Sequence, residues 1–288
     1  MEKLYSIHTM IGMNISQAQK KQFQKKVLDR YVVNKRDLPW RKTKDPYKIM
    51  VSEVMLQQTQ VPRVIQKFTR RMELRPTVQD LAQASRADVL RERSWLWFNR
   101  RAINLHEACK QLTAAGNGEL GKGKKPLTFF MSDYAYLRSL PWIGEYTAHA
   151  ILSFAYNQEV PVMDINIKRV LLHSFQLPVD TPVYELQELA LSLIPSWKSC
   201  DRHNALMDYG SQVLNSKATW IQSAKQPTFK WSDREVRWRV LKYLTAHDTI
   251  SDKIVMAQFP TKDCAAILGR LTAEGTLNKK RWTYTIRE

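Results

Sequence analysis

Two carboxylates define the chemistry open to this chain. Glu53 lies in KIMVSEVMLQQTQV, between Val51 and Val54 on an otherwise apolar helical pattern, where burying an ionised carboxylate without a partner is costly. Such burial raises a carboxyl pKa and makes the group a proton donor near neutrality. Left exposed, Glu53 is instead a solvated residue on a polar stripe with Gln57 and Gln60. Asp164 stands in VMDINIKRV, at the start of another helical pattern, where the commonest job of Asp is to cap the first turn. One neutral and one ionised carboxyl group are also what cleavage of a glycosidic bond uses. The acid protonates the leaving group and the base stabilises the oxocarbenium-like sugar.

The elements that must position these groups are legible around them. Thr147, Ile151 and Phe154 repeat at helical spacing, so the turn Trp142-Ile143-Gly144 lies between one helix ending near Leu140 and another starting near Glu145. Backbone amides at such a helix start point outward and can hold a phosphate. Asp45 caps a helix begun by Pro46, which carries Glu53. Before it, Ser16 to Tyr31 reads as a basic amphipathic helix with Phe23, Val27 and Tyr31 on one face. Further helices are expected at 61–73, 78–84, 87–93, 100–114, 131–139 and 184–194. The stretches 117–126 and 215–229 lack a hydrophobic period and read as loop and connector. Beyond the connector, amphipathic helices at 233–246 and 261–274, Gly275 as a helix stop, and alternation from Arg281 to Ile286 lead to a winged helix. Winged helices serve DNA binding and protein contacts alike. The expected domains are a tail at 1–15, a core at 16–214, a linker at 215–230 and the winged helix at 231–288.

Composition narrows the partners. The 288 residues hold 45 basic against 27 acidic side chains, a formal charge of +18, which predicts a polyanionic partner and salt-sensitive binding. No apolar run approaches the roughly 20 residues that span a bilayer, and Met1 to Ile15 lacks a signal pattern, so a cytoplasmic, nucleoid-associated monomer is expected. Met10 and Met13 are alternative start sites. Cys109, Cys200 and Cys264 form no paired ligand motif and read as reduced thiols.

The stretch from Leu140 to Val170 resembles the helix-hairpin-helix of the DNA glycosylase superfamily that includes endonuclease III. Within it, LPWR at 38–41, DPYKIMVSEVMLQQTQV at 45–61, PTVQDLA at 76–82, NLH at 104–106, EYTAHAILSFAY at 145–156, MDINIKRVL at 163–171 and HNALMDYG at 203–210 are similar to MutY-type adenine DNA glycosylases. The resemblance implies a mainly α, two-lobed glycosylase core that excises adenine mispaired with 8-oxoguanine or guanine from double-stranded DNA, flipping the base out first. It implies that Glu53 protonates adenine at N7, that Asp164 stabilises or traps the deoxyribosyl cation, and that Tyr146 and Asn166 position them. It implies DNA contacts from the hairpin residues Ile143, Gly144 and Thr147, and from Gln58 and Thr59 with Arg36 and Leu38 against the opposite strand. Phe98 falls where the family has a stacking tyrosine. Tyr146 occupies the position of the Schiff-base lysine of bifunctional relatives, so a monofunctional enzyme is expected. The rival readings are a mismatch glycosylase for thymine or another pyrimidine, against which the QQT run argues, and a catalytically inactive DNA-binding protein.

Three departures from the family stand out. Leu214 replaces the first cysteine of the family's iron-sulfur cluster and no cysteine occurs from 201 to 263, so no cofactor is expected. The family's C-terminal Nudix-like domain is replaced by the winged helix. Finally, Trp95, Trp97 and Trp142 occupy positions where the family has glycine, because turns there need positive φ or close phosphate approach; Trp197 falls at a fourth. With 9 Gly and 9 Trp in 288 residues, against a usual glycine share of about 7%, the pattern implies that the source organism reads UGA as glycine and that these codons were rendered as tryptophan.

Overall fold

The computed structural model of the protein describes residues 15–92, 99–117, 126–193, 198–214, 228–260 and 262–287. Trp95, Trp97, Phe98, Trp197 and most of the connector lie outside the described residues. Among those described, no helix is long and apolar enough to cross a membrane. In chain order the elements are α1 (Gln17–Asn34), a 3-10 turn (Pro39–Arg41), α2 (Pro46–Leu56), α3 (Val61–Leu74), α4 (Val78–Gln83), α5 (Arg86–Arg91), α6 (Asn99–Gly116), α7 (Leu127–Met131), α8 (Tyr134–Ser139) and α9 (Glu145–Tyr156). Then follow α10 (Ile165–Ser174), α11 (Val183–Ser192), α12 (Ser199–Gln212), α13 (Asp233–Leu244), β1 (Ile250–Ser251), α14 (Asp252–Gln258), α15 (Cys264–Ala273), β2 (Leu277–Lys280) and β3 (Thr283–Ile286).

Several boundaries follow from caps read in the sequence. Ser16 and Gln19 form a reciprocal capping box at α1, and the Asp45 side chain accepts from the Tyr47 amide, with Pro46 as the first residue of α2. The helix expected over 131–139 is the shorter α8, because Asp133 caps it through the Tyr136 amide, and α7, ending at Met131, was not expected. α12 was not anticipated as a helix; its burial is nearly continuous from Arg202 to Gly210, which hides the 3.6-residue alternation that marks a surface helix.

The chain divides into two compact units: one comprises the described parts of Met1–Lys44 and Ala148–Ser223, the other those of Asp45–Thr147 and Ala224–Glu288. In the first, α12 packs on α1 and α10. Phe23 of α1 meets the rings of Phe175 and Tyr209 edge-on. In the second, α4 and α5 pack on α6, and α3 on α2.

The second unit also contains the C-terminal segment, whose order of helix, strand, two helices and a hairpin closes into a three-stranded antiparallel sheet ordered β1-β3-β2. Ile250 pairs with Tyr284 and Leu277 with Ile286. Gly275, at φ 69°, ends α15 in the left-handed conformation that favours glycine. The core of this segment, built from Val236, Val240, Leu241, Ile267, Leu268 and Leu271, takes in the fully buried Leu90 of α5, with Ile103 of α6 packed against it. The Arg86 Nη1 donates to the Gly275 carbonyl at 2.7 Å, and the Arg91 Nε to the Thr245 carbonyl at 3.1 Å.

Candidate active site

The Glu53 side is built on α2, whose residues Ile49 to Met55 are all buried. Only Ser52 and Glu53 are polar there, and the Ser52 hydroxyl satisfies itself on the Ile49 carbonyl at 2.8 Å. Glu53 is 4% exposed and accepts a hydrogen bond from the Tyr146 hydroxyl at 2.7 Å. A mid-helix carboxylate has no backbone amides to use, since those are spent on the helix; its partner must come from another element, here the first turn of α9. Gln57, at the end of α2, reaches the same hairpin: its amide nitrogen is 3.5 Å from the Thr147 hydroxyl and its oxygen accepts from the Trp142 indole at 2.9 Å.

The hairpin turn lies between Ser139 and Glu145, as the spacing predicts. The Arg138 guanidinium donates to the Ile143 carbonyl at 2.9 Å and pins it. Ile143 and Thr147 are buried, so neither offers its side chain to a ligand. Gly144 is exposed, and a β-carbon built on it would meet nothing within 4 Å, which leaves the backbone at the start of α9 open to close approach. Trp142 adopts φ 66° with 45% of its surface exposed. That is the left-handed conformation expected of a glycine position, and it costs an ordinary residue about 1–2 kcal/mol. Trp231, which the sequence did not single out, does the same at φ 62°.

Asp164 is the N-cap of α10. One carboxylate oxygen accepts from the Ile167 amide at 2.6 Å and the other from the Asn166 side chain at 2.8 Å. Burial pushes its pKa up, opposed by the hydrogen bonds from Ile167 and Asn166 and by the charge of Arg36. Capping and chemistry were alternative readings of Asp164, and the cap is present.

Three α12 residues whose roles the sequence did not reveal hold this region. The His203 Nε2 accepts from the Val162 amide at 3.2 Å, so Nδ1 carries the proton and donates to the Ser199 carbonyl at 2.8 Å. This clamps the extended segment two residues before Asp164. Burial holds the His203 pKa at about 4. A β-carbon on Gly210 would sit 3.0 Å from the Asn166 Cβ and from its carbonyl oxygen, so only glycine lets α12 approach α10 this closely. Asp208, also buried, takes a bidentate pair of bonds from Arg41 at 2.8 and 2.9 Å and a third contact from Arg36. Burial alone would raise its pKa, but Arg41 and Arg36 hold the carboxyl below the usual range. All three belong to HNALMDYG, where a histidine, an aspartate and a glycine inside one helix were the available signal.

The residues expected against the opposite strand divide. Gln58 is exposed, at φ 53°, and Thr59 is half-buried between α2 and α3. Arg36 is paired with Asp208, and Leu38 is buried at 5% exposure. The thiols do not fit an iron-sulfur cluster. Cys109 is wholly buried in α6 with its pKa pushed up to about 12, the protonated form rather than the ligating thiolate. Cys200 and Cys264 begin α12 and α15, and among the described residues no three His, Cys, Asp or Glu side chains gather as a metal set.

A hairpin feeding an Asp-capped helix, set in a mainly helical chain, defines a helix-hairpin-helix protein. The fold is similar to that of a thermostable thymine-DNA glycosylase, with a TM-score of 0.59 and 23% identity over 69% of this chain and 89% of that one. It is also similar to a non-covalent endonuclease III-DNA complex, with a TM-score of 0.56 and 16% identity over 72% and 91%. The chain belongs to the HhH-GPD superfamily of base excision DNA repair proteins, whose family model matches residues 51–196. Its sequence is 32% identical over 241 residues to an adenine DNA glycosylase of Mycobacterium tuberculosis, covering 75% of this chain and 76% of that protein. It is 35% identical over 203 residues to the adenine DNA glycosylase of Rattus norvegicus, covering 66% of this chain and 38% of the rat protein.

Proposed function

We propose that this protein is a monofunctional DNA N-glycosylase that removes adenine mispaired with guanine or 8-oxoguanine. Glu53 carries the reading: a carboxyl group 4% exposed on an apolar helix, hydrogen-bonded to the Tyr146 hydroxyl, in a chain similar to proteins named adenine DNA glycosylase. Glu53 gives its proton to adenine N7, the C1′–N9 bond breaks with its electron pair going to the base, and the sugar is left as a cation. Asp164 stabilises that cation until water adds at C1′ and gives up a proton, which returns the Glu53 carboxylate to its acid form. Tyr146 orients Glu53 and Asn166 orients Asp164. With tyrosine at the hairpin position where bifunctional relatives use lysine, no Schiff base forms, and the abasic strand is left intact. The residues present do not fit a cluster, so we propose that the enzyme works without one. The formal charge of +18 and the open backbone at Gly144 supply the affinity for duplex DNA.

Single-turnover assays on duplexes with adenine opposite guanine, adenine opposite 8-oxoguanine, and thymine opposite guanine test this. Adenine release from the first two alone is expected, and thymine release would overturn it. Glu53→Gln is expected to slow release by on the order of a thousandfold with mismatch affinity within about threefold of wild type. Undiminished turnover would remove Glu53 from the mechanism.

A further inference from the structure

A cleft of about 1060 Å³, whose lining does not include Glu53, lies within the second unit. One wall is Gln58, Thr59 and Gln60, the loop between α2 and α3, continued by Arg63. The other is α13, through Arg234, Arg237 and Trp238, with Arg270 and Glu274 at the end of α15. Arg100 and Ile103 of α6 also line it.

Charge and shape narrow what it takes. Five arginines line the cleft against two carboxylates, Asp233 and Glu274. Each acid is already paired with an arginine of the same wall, Glu274 with Arg237 and Asp233 with Arg270, so the surplus is cationic. The planar rings of Trp238 and Phe229 line the same space, and cationic grooves with aromatic side chains are the common way of holding a nucleic-acid strand. The volume lies just above the range of roughly 300–1,000 Å³ usual for small-molecule pockets, which suits a short run of nucleotides better than a single metabolite.

The walls are also fixed in place. Leu90 and Ile103 belong to the winged-helix core, and Arg86 and Arg91 are bonded to its backbone. The winged helix is therefore not a tethered reader of its own. Its α15, the helix that such domains insert into a groove, exposes Ala265, Gly269 and Ala273, which offer no hydrogen bonds to base edges, and Arg270, which lines the cleft and is paired with Asp233.

We propose that this cleft holds the DNA strand opposite the nucleotide to be excised, so that α13 and the end of α15 bind that strand jointly with Gln58 and Thr59. The proposal rests on the glycosylase reading for the identity of that strand, and the test separates the two.

Duplexes containing an adenine-guanine mismatch are prepared with 5-iodouracil beside the mismatch in either the adenine-bearing or the opposite strand, then photo-crosslinked to the full chain. Crosslinks from the opposite strand to peptides spanning 228–241 are expected. Crosslinks to those peptides only from the adenine-bearing strand, or none, would overturn the proposal. In parallel, Arg234→Glu is expected to weaken mismatch binding about tenfold and to lower the slope of log affinity against log salt by about 1. Lys280→Glu, the same reversal on the exposed β2 strand, is the control, and Arg234→Gln covers the case in which the reversal disturbs folding. Equal loss from Lys280→Glu and Arg234→Glu, or none from either arginine variant, would also overturn it. A wild-type protein that releases adenine from no duplex would sink the glycosylase reading alone, since crosslinking needs no turnover.

Discussion

Glu53 and Asp164 carry the same functional group in opposite backbone settings. Glu53 sits mid-helix on α2, where every nearby amide is already spent, and a partner is the phenol of Tyr146. Asp164 sits at a helix start, where free amides are plentiful, and it takes one of them together with the side chain of its own neighbour Asn166. The difference teaches that the two can be separated by mutation. Glu53 caps no helix, whereas Asp164 is both a cap and a candidate catalytic group.

The largest expected effect comes from splitting those two jobs. Asp164→Asn is expected to slow adenine release by on the order of a thousandfold, about 4 kcal/mol. It should leave thermal stability unchanged or slightly raised, because Asn caps nearly as well as Asp and the cost of a charge in a buried place is removed. Asp164→Ala should lose the same rate and about 1 kcal/mol of stability besides. Equal melting temperatures for the two variants would mean that the cap is not what Asp164 gives the fold.

Next in size is the pH dependence of the Asp164 side. His203 is neutral in the fold, with a pKa of about 4 against an ordinary 6.5, so the unfolded chain binds its proton first as pH falls. Its contribution is complete above pH 6.5 and is lost as pH drops through 4, up to about 3 kcal/mol. Urea titrations of wild type and His203→Gln should therefore converge toward pH 4, and parallel curves would contradict the burial of a neutral ring. Gly210→Ala is expected to cost about 1–3 kcal/mol by forcing α12 from α10. Its effect on release should appear as displacement of Asn166 and Asp164, and a fully stable variant would show that the helices have room to spare. The smallest effect is on the Glu53 side. Tyr146→Phe removes one hydrogen bond and should slow release about tenfold, near 1.4 kcal/mol, with stability nearly unchanged. A thousandfold loss would make Tyr146 more than an orienting group.

Much of this was legible in the residues, for identifiable reasons. The hairpin boundaries, α1, α2 and the helices α13 and α15 followed from caps and periodicity, which are local. Glu53 stood out because a lone acid on an apolar pattern is anomalous wherever it occurs. The clamps on Asp164 were hidden because they depend on contacts between residues distant in sequence: His203 acts on Val162, Gly210 makes room for Asn166, and Asp208 gathers Arg36 and Arg41. Burial on nearly every side of α12 erased the pattern that would have announced the helix itself. The pairing of Arg36 with Asp208 and the burial of Leu38 were equally hidden, since nothing local in a proline-interrupted loop tells how deep its side chains lie.

The left-handed backbone at Trp142 and Trp231 reaches beyond the folded protein to the ribosome that makes it. Trp40 lies buried in a 3-10 turn and should be encoded by UGG. Codons 95, 97 and 142, and by its φ of 62° codon 231 as well, should be UGA, with glycine at each position in mass spectra of the native protein. UGG at these codons would end the idea. If they are UGA, a bacterial host using the standard code would terminate after Ser94, producing α2 with Glu53 but neither the hairpin nor Asp164. Recombinant activity then depends on resynthesising the gene with glycine codons before any variant is compared.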